Sequence, residues 1–227
     1  MGTEVWPELS FPSDEGHLLR RVYDVAHIIL EYGSGGSTVL ASEQPGKLVF
    51  SVESDHAWAI RLQHEIDLRN LPSPALVYHV DIGPTGDWGR PLGSEAWTRF
   101  YQYPLAIWDE PFFRQPDVVL VDGRFRAACL MAVLLRTQKP VTVLFDDYAE
   151  RPAYHSVEAF LKPTKIVGRM AVFDVQPRPF DPSETGAIMD HFFRATYQGA
   201  VGAHYRVAPR EHSALEADRQ IEAKRHD

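Results

Sequence analysis

Cysteine is nearly absent from this chain. Cys129 is the single one in 227 residues, so no disulfide can form within it. It sits in the apolar stretch Ala127 to Ala132, which suits a small buried hydrophobe better than a reactive thiol. Long apolar runs are missing too. Val118 to Val121 is among the longest, far short of what a bilayer crossing needs. The start of the chain lacks the basic-then-apolar pattern of a secretion signal and carries Glu4, Glu8, Asp14 and Glu15 instead. These absences make a reducing cytoplasm the expected compartment, with no membrane partner. Basic residues are outnumbered, 23 Lys and Arg against 31 Asp and Glu, for a net charge of −8. An acidic chain is poorly suited to neutralising phosphates, so nucleic acid is not the expected partner. A small molecule, a sugar or a protein fits better. No internal repeat or low-complexity block stands out.

What is present is the pattern of one α/β domain. Hydrophobic residues make up 44% of the chain, enough for a real core. Short β-rich runs alternate with helical stretches, as in a parallel sheet covered by helices. Residues 13–27 read as a helix, with Leu18, Leu19 and Val22 at helical spacing. Strands are expected at 27–31, 47–52, 75–82, 117–122 and 141–145, and a final strand pair at 165–170 and 171–175. Helices are expected at 37–43, 54–68, 124–137 and 183–197, and one opens at Pro152. Ser94 caps another, with Trp97, Tyr101, Leu105 and Trp108 on one face and Pro104 bending it. That aromatic face reads as core or as a dimer surface, which leaves a homo-oligomer open. Residues 1–208 are expected to form the domain, and 209–227 a charged C-terminal tail.

The first motif that carries chemistry is Glu31-Tyr-Gly-Ser-Gly-Gly-Ser-Thr38, directly after the first strand. Glycines let a backbone approach a ligand closely, and the helix start that follows offers free N–H groups. Glu53 ends the second strand, 20 residues after Gly33. That is the place of an acid that binds ribose hydroxyls in nucleotide-binding α/β folds. A dinucleotide fingerprint would want a third glycine where this chain has Thr38, and Glu31 suits an ammonium group better than a pyrophosphate. A turn with no ligand is the remaining alternative.

Two acidic motifs follow, Asp122-Gly-Arg-Phe-Arg126 after the fourth strand and Asp146-Asp147-Tyr148 after the fifth. Carboxyl ends of adjacent parallel strands converge on one crevice. Three carboxylates there repel unless a cation or a proton relieves them. Such hard oxygen donors suit Mg²⁺, Mn²⁺ or Ca²⁺, so Asp122, Asp146 and Asp147 are candidate metal ligands, with Mg²⁺ or Mn²⁺ the expected ion. Solvated turn aspartates are the alternative.

Together the E-x-G-x-G-x-S/T turn, the acid ending strand two and the terminal strand pair resemble class I S-adenosylmethionine (SAM)-dependent methyltransferases. The resemblance covers about residues 13–198. It implies a Rossmann-like, mostly parallel seven-stranded sheet in the order 3-2-1-4-5-7-6, with helices on both faces and SAM over the strand ends. Glu31 would then face the methionine amino group, Gly33, Ser34, Gly35 and Ser37 would pass under the cofactor, and Glu53 would hold the ribose. Asp81, near the end of strand three, would touch the adenine amino group or simply form a turn. Asp122, Asp146 and Asp147 resemble the ligands of metal-dependent O-methyltransferases of the catechol type. The loop at 83–93, with Trp88 as adenine stack, lid or packed surface residue, is similar to the glucuronoxylan 4-O-methyltransferase branch. The expected reaction is methyl transfer to a hydroxyl of a small molecule or sugar, with Asp122, Asp146, Tyr148 and Arg124 as catalytic candidates. Arg124, Arg126 and Arg151 would hold an anionic substrate group. A non-catalytic SAM-binding or interaction domain on the same fold is the alternative.

Overall fold

A computed structural model describes residues 7–198. The expected tail, 209–227, lies outside the described residues. Seven strands form one sheet: β1 (Ile28–Tyr32), β2 (Leu48–Glu53), β3 (Ala75–His79), β4 (Val118–Val121), β5 (Val141–Phe145), β6 (Lys165–Val167) and β7 (Met170–Val175). Their order is β3-β2-β1-β4-β5-β7-β6. β7 runs antiparallel to both of its neighbours, and the other pairs are parallel. This is the Rossmann-like methyltransferase topology that the resemblance implied.

Strand alternation sends side chains to two buried layers. Leu30, Tyr32, Phe50, Val52, Val119 and Val121 pack on one face of the sheet. There they meet helices α4 (Gln102–Leu105), α5 (Arg126–Arg136) and α6 (Thr185–Phe192). Ile29, Val49, Val118 and Leu120 point the other way, onto α1 (Ser13–Val25), α2 (Gly36–Glu43) and α3 (His56–Arg69). α5 is buried from Arg126 to Leu134, because it lies between the sheet and the segments around α4 and α6. Among the described residues no helix is long and apolar enough to cross a membrane.

Two helices expected from periodicity are broken. The segment after Ser94 folds as a 3₁₀ turn at Trp97–Arg99, the short α4, and another 3₁₀ turn at Ala106–Asp109. Pro104 has no N–H to carry a regular helix through this point. The break rotates the apolar face: Tyr103, Ile107 and Trp108 are buried, while Trp97 and Tyr101 are 57% and 51% exposed. The stretch opened by Pro152 is 3₁₀, Pro152–Ala159, and only Val157 within it is fully buried.

Candidate functional site

The ends of β1 and β4 are pressed together at a pair of glycines. Gly33 has φ +99°, and a Cβ there would lie 2.8 Å from the Gly123 Cα and nitrogen. A Cβ on Gly123 would lie 2.2 Å from the Tyr103 hydroxyl. Beside this contact opens a cavity of about 450 Å³, within the size range of small-molecule sites. Its floor is Gly33 to Ser37, its sides include Glu53, Trp58 and Trp88, and Asp122, Gly123 and Arg124 close one end. Residues Pro7 to Phe11 cross its rim. They lie so close to Gly36 that a Cβ there would meet the Glu8 carbonyl oxygen at 2.2 Å. Of the expected cofactor residues, Gly33, Ser34, Gly35, Ser37, Glu53, Trp88 and Asp122 line this cavity. Glu31 and Asp81 do not.

Glu31 is placed by the pleat. β1 runs one residue further than expected, to Tyr32, so Glu31 lies inside the sheet opposite Ser51 and Leu120. It shares the face of Ile29, under α1 and α2, and is fully buried. The Tyr23 hydroxyl donates to its Oε1 at 2.7 Å, and the Thr38 hydroxyl donates to Oε2. Burial pushes its pKa up, and the bonds from Thr38, Tyr23, Ser37 and Ser51 oppose that shift. Thr38 also accepts from the Gly35 N–H at 3.0 Å. The threonine standing where a dinucleotide fold has glycine therefore ties the turn to a buried acid. Both Glu31 oxygens are hydrogen-bonded inside this layer, and the side chain does not line the cavity.

Glu53 is both buried and saturated. Oε1 accepts from the N–H groups of Ser54 at 2.7 Å and Asp55 at 2.9 Å, and Oε2 from the Ser34 hydroxyl at 2.7 Å. Trp58 donates its indole N–H to the Ser34 carbonyl at 3.0 Å, and Arg61 lies over its ring. The loop after β3 docks on this corner through the Ser54 hydroxyl, which donates to the Gly89 carbonyl at 2.9 Å. Trp88 sits in that loop with φ +62°, rare for a bulky residue, and is 81% exposed at the cavity mouth. Asp81 forms a turn, accepting from the Gly83 N–H at 2.8 Å and pairing with Arg99.

The three aspartates do come together, but arginines neutralise them. Arg126, only 5% exposed, pairs with Asp122 at 2.9 Å and Asp147 at 3.1 Å. It also donates to the backbone carbonyls of Asp122, Gly123 and Asp146. Arg169, from the β6–β7 reversal, holds both oxygens of Asp146 at 2.9 Å. Arg151 takes Asp147 at 2.7 Å. The fork of Arg126 thus ties the tips of β4 and β5. These residues do not fit a divalent ion, because guanidinium groups already occupy the carboxylate oxygens that would ligate it. Among the described residues no group of three His, Cys, Asp or Glu is placed to hold a metal. The expected metal site is corrected to a carboxylate–arginine cluster.

Asp146 and Tyr148 do not reach the cavity. Tyr148 is buried against Phe145 and Phe173, and its hydroxyl donates to Glu158 at 2.8 Å. Burial and Glu158 both raise its pKa. Asp122 does reach the cavity. Burial pushes its carboxyl up to about 7; Arg126 pulls it down, and the charges of Asp146 and Asp147 push it up. Sequence reasoning missed Trp58, Arg61 and Tyr103 as cavity residues. For Trp58 a signal existed, since it lies in the first turn of the helix after the acid-tipped strand. The strap at 7–11 and the role of Arg169 left none, because each depends on a long-range contact.

Neither a protein-family model nor a curated protein matches the chain. Solved structures do. The fold is shared with the O-methyltransferase from Bacillus cereus in complex with SAH, at 15% identity and a TM-score of 0.51, over 71% of this chain and 80% of that one. Cofactor-bound Rv0187 from MTB also has it, at 14% identity and a TM-score of 0.53, over 76% and 84%. A methyltransferase-like protein from Silicibacter pomeroyi is 46% identical, with a TM-score of 0.79, over 83% of this chain and 98% of its own. At that identity, across almost the whole of the relative, the chain belongs to the same family of methyltransferase-like proteins, built on the class I SAM-dependent methyltransferase fold.

Proposed function

We propose that this protein transfers a methyl group from SAM to a hydroxyl of a small molecule or sugar. The observation that carries the reading is the cavity floored by the glycine turn and flanked by Glu53. When bound there, SAM supplies an electrophilic methyl carbon: the acceptor oxygen forms the new O–C bond while the S–C electron pair returns to sulfur. Ser34 and Gly35 present backbone along the floor. Glu53 takes ribose hydroxyls, a role that displaces the Ser34 hydroxyl from its Oε2. Trp58 offers a flat ring for the adenine, and Trp88 closes the mouth against water. Asp122 accepts the acceptor's proton on its carboxylate, and Arg124 orients the acceptor beside it. No step runs through a metal.

Titration calorimetry with SAM, S-adenosylhomocysteine (SAH) and NAD⁺ tests the cofactor. The full chain should bind the first two and not the third. Glu53→Gln should weaken SAH binding by about 1.5–3 kcal/mol, roughly ten- to a hundredfold, because a charge-assisted bond to the ribose is lost. NAD⁺ binding without SAH binding overturns the reading. The proton acceptor is tested by the pH profile. Asp122 can take a proton only when ionised, so kcat should rise as pH climbs through about 7 and level off above it. Asp122→Asn should remove that limb and lower kcat about a hundredfold. An unchanged profile in the variant, or one reshaped by excess chelator, would count against it.

A further inference from the structure

Next to the cofactor cavity, and sharing Gly123 and Arg124 with it, lies a pocket of about 30 Å³. It is lined by Arg90, Arg124, Arg151 and Tyr154, with Phe125 and Thr196. Three arginines thus line a space large enough for one small polar group. Arg126, expected to join them, faces the aspartates instead. Arg90, from the loop after β3, takes its place.

The pairing of these arginines is uneven. Arg151 is held by Asp147 at 2.7 Å and donates to the Tyr154 hydroxyl at 3.4 Å. Among the described residues Arg90 and Arg124 have no carboxylate partner, and the Nε of each is buried with no hydrogen-bond acceptor. Burying a guanidinium donor without an acceptor costs free energy, and two such groups beside each other add repulsion. Burial lowers the pKa of Arg124, and the charges of Arg126 and Arg90 lower it further. An incoming oxyanion would satisfy both donors and relieve the repulsion.

The pocket shares Phe125, Tyr154 and Thr196 with the lining of a second cavity of about 310 Å³. Its walls include Ala127, Pro152, Ala153 and Ala195, and its charged neighbours are already paired: Arg126 with the aspartates and Arg194 with Asp190.

We infer that the methyl acceptor is an acidic molecule, whose carboxylate or phosphoryl group is held by Arg90, Arg124 and Arg151 beside the cofactor cavity. This deepens the proposed function and rests on it. The probes are benzoate, phenyl phosphate and the neutral benzamide, titrated into the SAH-saturated full chain by calorimetry. At least one anion should bind about tenfold or more tightly than benzamide, and the preferred anion identifies the acceptor's acidic group. Arg90→Gln should remove about tenfold of that affinity, with Arg90→Lys intermediate, and leave SAH affinity as in wild type, which also reports that the variant folds. Arg151→Gln gives an independent second variant. Equal binding of benzamide and both anions, no binding of any probe, or anion affinity unchanged in both variants overturns the inference. Loss of SAH binding in the wild-type chain would instead sink the methyltransferase reading, and the anion titration without SAH would still report on the pocket.

Discussion

Arg126→Met is expected to destabilise the fold by about 1–3 kcal/mol near pH 8, the cost of leaving buried carbonyls and the partly exposed Asp122 carboxylate without their donor. Arg126 is nearly inaccessible and touches Asp122, Asp147 and three carbonyls at the tips of β4 and β5. Methionine fills much of the volume and supplies none of those donors. Arg169 still holds Asp146 in the variant, but Asp122 loses the one cation paired with it among the described residues. The pH dependence follows from the sign of the shift. Asp122 already has a folded-state pKa raised to about 7, above its unfolded value. Removing Arg126 raises it further, so the folded variant binds protons more readily than its unfolded chain. Protonation then relieves the repulsion. The gap between variant and wild type should be widest above pH 7 and narrow as pH falls toward 5. Urea unfolding at pH 8 and pH 5.5 measures this. A gap of equal size at both values would assign the role of Arg126 to its carbonyl bonds and not to charge.

Gly33→Ala is expected to cost about 2–5 kcal/mol and to abolish tight SAH binding. Two penalties add. Alanine at φ +99° is strained, by about 1–2 kcal/mol. Its Cβ would also press on the Gly123 backbone at 2.8 Å, and such overpacking costs about 1–3 kcal/mol. The obstacle is backbone, so no side chain can rotate away. Relief requires β1 and β4 to part at their tips, which shifts Ser34 away from Glu53 and deforms the cavity floor. Gly35→Ala is the natural control: a Cβ there meets nothing within 4 Å, and its φ of 169° suits any residue. Thermal unfolding of both variants gives the comparison, and SAH calorimetry on Gly33→Ala reads the loss of binding. Similar stability for the two would remove the close-approach argument.

Much of the fold was legible because periodicity is local. The strands at 48–53, 118–121 and 141–145 announce themselves as apolar runs bounded by turn residues, and their order follows from the family resemblance. The segment after Ser94 misled, since helical spacing of Trp97 and Tyr101 says nothing about where Pro104 breaks the helix and turns the face outward. The glycine turn, Glu53, Trp88 and Asp122 were found as a set because strand ends in a parallel sheet share one edge.

What sequence by itself determined is therefore the sheet, the turn and the edge on which a site forms. Tertiary structure alone decided how each charge near that edge is spent. The pleat of β1 put Glu31 on the buried face with Ile29, where Tyr23 and Thr38 donate to it. Arg126, Arg151 and Arg169, the last from the opposite side of β5, satisfied three aspartates that spacing alone made look like metal ligands. Arg90 and Arg124 were left with unsatisfied nitrogens beside the cavity. The physical reason is one: a charge takes its meaning from its partners, and partners at this sheet edge are brought from segments far apart in the chain.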